Sequence, residues 1–98
     1  MMDLLFIEKW YSSQCDGEWE HLNGISIETT DNPGWHVTIE TSNSTTPLSD
    51  RTWILQEKSD DDWFGYKVLG GVFEGAGSRN KLMVILDIFE RLIIDASL

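Results

Sequence analysis

The spacing of apolar residues changes twice along this chain, from helical to alternating and back to helical. Leu4, Ile7 and Tyr11 recur at helical intervals with Phe6 and Trp10 beside them, so the chain opens with an amphipathic helix. Asp3 is placed to cap its start, and Asp16-Gly17 to end it. From Gly24 the period becomes two. Ile25, Ile27 and Thr29 alternate with Ser26, Glu28 and Thr30; after Asp31-Asn32-Pro33-Gly34, Trp35, Val37 and Ile39 alternate with His36, Thr38 and Glu40. These two runs form a hairpin. Matching apolar to apolar pairs Ile27 with Ile39 and Thr29 with Val37, which predicts a five-residue loop or a bulge with Gly34 at positive φ. Glu28, His36 and Glu40 then fall on the wet face.

A polar loop from Thr41 to Asp50 leads to a second strand pair, Thr52 to Lys58 and Trp63 to Leu69, joined by Ser59-Asp60-Asp61-Asp62. In the later strand Phe64, Tyr66 and Val68 make the apolar face; in the earlier one Trp53 and Leu55 compete with Ile54. Gly70-Gly71 is a turn, Val72-Phe73-Glu74 a short edge strand, and Gly75-Ala76-Gly77-Ser78 a flexible turn feeding the last helix. That helix is capped by Ser78 or Asn80 and carries a broad stripe of Leu82, Ile85, Leu86, Phe89, Leu92 and Ile93, with Arg91 suited to the negative end of its dipole. The order of elements predicts an α+β fold: an antiparallel sheet of four to five strands, with an N-terminal and a C-terminal helix packed on one face. The other face is free for a partner. With 98 residues there is room for one core, so residues 1–98 are read as a single domain.

Charge sharpens the picture. The formal net charge is −10, and residues 1–50 hold nine acids and one base, with no Lys or Arg from Trp10 through Asp50. Nucleic acid and anionic membrane surfaces are therefore excluded as partners, since both require clustered bases. No apolar run approaches the ~20 residues that span a bilayer, and the N-terminus lacks a basic leader, which places the chain in the cytoplasm. One cysteine, Cys15, fits that compartment. Nothing in the pattern speaks to oligomeric state.

Little of the chemistry points to an enzyme. Cys15, His21 and Asp16 or Asp31 are the only components of a cysteine-based site, and a lone Cys after a helix is more often a packing residue. Cys15, His21 and His36 lack the paired short spacings of zinc ligands. Gly75 to Lys81 misses both phosphate-loop patterns, and Asp60-Asp61-Asp62 lacks the alternating ligands of a calcium loop. No catalytic residue, metal or cofactor is assigned. Trp19 stands between Glu18 and Glu20, which fits either an interface anchor with an acidic rim or an aromatic folded back over the sheet end.

Trp10-Tyr11-Ser12-Ser13-Gln14-Cys15-Asp16-Gly17-Glu18-Trp19-Glu20-His21, followed by Gly24-Ile25 and Asp31-Asn32-Pro33-Gly34-Trp35, resembles the immunity protein 53 family. Phe73-Glu74-Gly75-Ala76-Gly77 and Leu86-Asp87-Ile88-Phe89 extend the resemblance over nearly the whole chain. It implies a cytosolic antidote of a bacterial polymorphic toxin or contact-dependent competition system, one that binds a cognate toxin domain stoichiometrically and is not an enzyme. It carries over no binding map. The acidic first half adds that the toxin surface is basic, as a nuclease's would be. Candidate contacts are Asp16, Glu18, Trp19, Glu20, Glu28, His36 and Glu40. A small acidic adaptor for another basic protein would share this composition.

Overall fold

Alternating apolar positions build a five-stranded sheet, and two helices close one of its faces. The computed structural model describes residues 3–98. The order is α1 (Asp3–Gln14), α2 (Trp19–Leu22), β1 (Ile25–Thr30), β2 (Gly34–Glu40), β3 (Arg51–Ser59), β4 (Asp62–Leu69), β5 (Val72–Ser78) and α3 (Leu82–Ala96). All pairings are antiparallel, in spatial order β1-β2-β5-β4-β3. The expected α+β architecture is present. The expected Asp3 side-chain cap lies outside the described residues.

The largest departure from the sequence reading is β5. It is no short edge strand: it runs through Gly75 and Gly77 to Ser78 and lies between β2 and β4 at the centre of the sheet. Glycine is disfavoured in strands because it packs no side chain. Here that absence is required by α3. A Cβ on Gly75 would lie 2.5 Å from Ile85 Cγ2, and one on Gly77 would lie 2.9 Å from Lys81 Cβ. The helix therefore rests directly on the strand backbone.

The core forms where α3 and α1 meet this face. Ile85, Leu86, Phe89, Leu92 and Ile93 are buried, as the helical stripe predicts, and Phe89 lies at the centre. Its ring makes edge contacts with Trp10 (5.2 Å between centroids), Phe73 (5.4 Å) and Phe6 (6.5 Å). Val37 and Ile39 of β2, Val68 of β4 and Phe73 of β5 complete it, all essentially inaccessible. Burying each such side chain contributes about 1.5–3 kcal/mol. On α1 the buried positions are Ile7, Trp10 and Gln14, whereas Leu4 and Tyr11 face outward, so the inward face is rotated from the expected stripe.

Gln14 explains the rotation. Its carboxamide oxygen accepts from Thr45 N–H (2.9 Å) and its nitrogen donates to Thr45 Oγ1 (3.0 Å), while Trp10 Nε1 donates to Thr46 Oγ1 (3.1 Å). The helix turns these polar groups toward the loop and satisfies them there. The same loop is fastened to the β4–β5 turn, where Thr41 N–H donates to Gly71 O (2.8 Å) and the buried Thr41 hydroxyl accepts from Leu48 N–H (3.1 Å).

Four local expectations are corrected. The first hairpin pairs Ile27 with Val37 and Thr29 with Trp35, leaving a three-residue loop, Asp31 to Pro33. The register is two residues tighter than matching Ile27 to Ile39, because Trp35 also takes a place on the helix side, with Nε1 donating to Arg79 O (2.9 Å). Gly34 is not at positive φ. It is needed because a Cβ there would lie 2.5 Å from the Gly77 carbonyl oxygen. At α3, neither Ser78 nor Asn80 caps the helix: the N-cap is Lys81, with no side-chain cap bond. Ser78 Oγ instead donates to Trp63 O (3.3 Å). Arg91 precedes the last turn and pairs with Asp87 (2.9 Å). The Gly70-Gly71 turn is as expected, with φ of 61° and 80°.

Gly75→Ala should destabilise the fold by about 1–3 kcal/mol through overpacking, more than the ~0.4–1 kcal/mol gained by stiffening the unfolded chain. Ile85→Leu removes the obstructing Cγ2 and should recover part of that loss in the double variant. Denaturant titration of the four proteins measures it; strictly additive effects would show that the strand and helix are not in direct conflict.

Candidate functional site

Side-chain alternation gives the sheet a second face that no helix covers. β1 presents Glu28 there, β2 presents His36 and Glu40, β5 presents Glu74, and β4 presents Trp63 and Lys67. Four of these form an ionic row across four strands. His36 Nε2 donates to Glu74 Oε2 at 2.8 Å, because a carboxylate can only accept. His36 Nδ1 lies 3.8 Å from Glu28 Oε1, and Lys67 Nζ lies 3.5 Å from Glu74 Oε1. The His36 hydrogen bond, with the Lys67 charge behind it, holds the Glu74 carboxyl below its ordinary pKa. Glu40 lies on the same face, where its Oε2 accepts from Gly24 N–H (3.2 Å).

The remaining candidates lie elsewhere, in the turn after α1. Asp16 Oδ1 accepts from Glu18 N–H and Trp19 N–H, both 2.9 Å, and Glu20 reaches back to accept from Asp16 N–H (2.9 Å) and Gly17 N–H (2.8 Å). These reciprocal side-chain-to-backbone bonds shape the turn that leads into the short helix α2, whose N-cap residue Glu18 makes no side-chain cap bond of its own. Asp16 has a lowered pKa, chiefly from the Trp19 and then the Glu18 N–H. Glu20 is also lowered, by its own backbone N–H first and then those of Asp16 and Gly17. Glu18 is exposed.

Trp19 takes the inward alternative. It is 6% exposed, with its ring edge-on to Trp10 and Tyr11, 5.8 Å from each, and its Nε1 has no hydrogen-bond partner among the described residues. It supports the acidic corner from below. The seven candidates thus divide: Glu28, His36 and Glu40 share the open sheet face, Asp16, Glu18 and Glu20 sit at the α1–α2 corner, and Trp19 is interior.

Glu74 and Lys67 were missed because their neighbours depend on β5 lying beside both β2 and β4. Trp53 is 45% exposed and lies over Gly65, where a Cβ would be 2.6 Å from its Cζ2. Cys15 is exposed, and its thiol donates to Tyr11 O (3.3 Å) rather than to His21. Among the described residues no cluster of His, Cys, Asp or Glu could hold a metal ion, and no helix is long and apolar enough to cross a membrane.

The model of the family described as Immunity protein 53 matches residues 4–94, nearly the whole chain. The chain belongs to the immunity protein 53 family. No curated protein and no solved structure matches it. Membership supports an immunity function and implies a toxin protein as the partner of this immunity protein 53 member. The matched region spans both the open sheet face and the acidic corner.

Carboxyl groups with folded pKa values below their unfolded ones contribute stability that is complete above the unfolded pKa and is lost as pH falls through the folded one. Acidification below about pH 4 should therefore loosen the 16–22 turn. Hydrogen exchange at the Gly17, Glu18 and Trp19 amides reads this directly. Asp16→Asn with Glu20→Gln should flatten the response, since neutral amides have no proton to gain; an unchanged acid response would remove these carboxylates as its cause.

Proposed function

We propose that this protein is a non-enzymatic antidote that neutralises a cognate bacterial toxin domain by forming a stoichiometric complex with it in the cytoplasm. The family match over residues 4–94 carries this reading. The toxin surface facing it is basic, and the complex covers the toxin's active site or substrate path. The supporting observation is the distribution of charge: a net −10, with no Lys or Arg between Trp10 and Asp50. A nuclease, whose substrate track must attract phosphate, would present such a surface.

Not all seven candidates contribute in the same way. Glu18, Glu28 and His36 offer side chains to the partner, joined by Glu40 at the end of the open face. Asp16 and Glu20 form the turn that presents Glu18, and Trp19 holds that turn on α1. The antidote acts by occupying space and matching charge, with no chemical step of its own.

Co-expression with the toxin domain encoded beside the gene should restore growth, and a chain that fails to rescue would remove the antidote reading. Purified components test the electrostatic version. Association should slow by about tenfold or more from ~20 to ~500 mM salt, and Glu18→Gln with Glu28→Gln should slow it further at low salt while weakening the salt dependence. Rates indifferent to both would leave an antidote that does not recognise its toxin by charge.

A further inference from the structure

The two edges of the sheet differ in what they expose. β1 ends the sheet with a mostly polar strand, in which Ile27 is the only large exposed apolar residue. β3 ends it with Arg51-Thr52-Trp53-Ile54-Leu55-Gln56-Glu57-Lys58-Ser59, and all nine residues are exposed. α3 packs over β5 and β4 and beside α1, so β3 stands outside the helical layer with both faces bare. Trp53, Ile54 and Leu55 are 45%, 38% and 48% exposed. Ile54 pairs with Tyr66 on the helix side and Leu55 with Gly65 on the open side, so apolar surface flanks the free backbone edge on both faces.

Exposed edges of this kind invite strand addition, and proteins restrain them with bulges and charge. β3 is restrained at its ends only. Its register with β4 shifts between Arg51 and Ile54 and again between Glu57 and Ser59, which leaves Ile54–Glu57 as a regular four-residue window. Such a window holds one short incoming strand and is too brief to template open-ended stacking. From Asp50 to Asp61 the chain carries four acids, Asp50, Glu57, Asp60 and Asp61, against Arg51 and Lys58. A second copy would bring another net −10 against this edge. A strand with an apolar centre and basic flanks suits both its surface and its charge.

We propose that Ile54–Glu57 of β3 is a docking edge, on which the toxin domain lays an extended segment with an apolar centre and basic flanks, adding a sixth strand to the sheet. The backbone supplies hydrogen bonds, and Ile54 on one face and Leu55 on the other supply apolar contact. This rests on the antidote reading and adds where and how the partner binds.

The test uses the full chain and the inactivated toxin domain encoded beside the gene. Ile54→Lys and Leu55→Lys should each weaken binding by about tenfold or more, while Ile94→Lys, a similarly exposed apolar position on α3, should change it less than about threefold. In the wild-type complex, alternate amides between Ile54 and Glu57 should become protected from hydrogen exchange, a readout that does not depend on any variant folding. A wild-type complex without that protection, or with both Lys variants binding as wild type does, overturns the docking edge and leaves the antidote role intact. A free protein that is dimeric at micromolar concentration and becomes monomeric on Ile54→Lys assigns the edge to a second copy and overturns the proposal. Wild type that neither binds nor rescues overturns both readings.

Discussion

The approach of α3 to the backbone of β5 is the contact on which the other packing depends. Gly75 and Gly77 remove the side chains that would hold the helix away, and Ile85 fills the space they leave. With α3 at that height, Phe89 reaches Trp10, Phe73 and Phe6, and α1 is drawn into the same layer. The helix also fixes what stays bare. A single helix seated on β5 and β4, with α1 beside it, cannot also cover β3, so the outermost strand keeps both faces in water.

The acidic surplus divides by use. Asp16 and Glu20 shape a turn, Asp62 is paired with Lys81 (2.8 Å), Asp87 with Arg91, and Asp50 accepts from Gly70 N–H (2.9 Å). Exposed pairs like these are screened by solvent and contribute little to stability, so their role is mainly to set local geometry. Glu18 and Glu28 lie outside that set of local turn and pairing contacts, apart from the 3.8 Å approach of Glu28 to His36. Net charge therefore overstates the carboxylates that can meet a partner, and residue-by-residue bonding separates them.

Much of the fold was legible where one periodicity held without interruption. The stripe of α3, the alternation in β1, β2 and β4, and the Gly70-Gly71 turn all follow from local rules. Three features depended on non-local contacts and were not legible. The inward rotation of α1 follows from Gln14 meeting a loop some thirty residues away. The register of the first hairpin follows from Trp35 and Gly34 fitting against β5 and the chain just beyond it. The place of β5 itself was hidden because glycines that signal a turn in isolation are here demanded by a helix above them. The same gap affected the site: Glu28, His36 and Glu40 were found from alternation, but the row they belong to needs Glu74, which reaches His36 only once β5 lies beside β2.

The strand order also has a consequence for how the chain is made. The sheet's middle strand is the last to leave the ribosome, after both hairpins have been synthesised. Until then β2 and β4 each lack a neighbour, and two isolated hairpins are at best marginally stable in water. Nascent chains shorter than about residue 78 can have local turns but no common sheet, and the helix that seals it is made later still. Completion of the fold is thus tied to synthesis of β5 and α3, and a chain terminated before them would be fragments awaiting proteolysis rather than a weaker version of the protein.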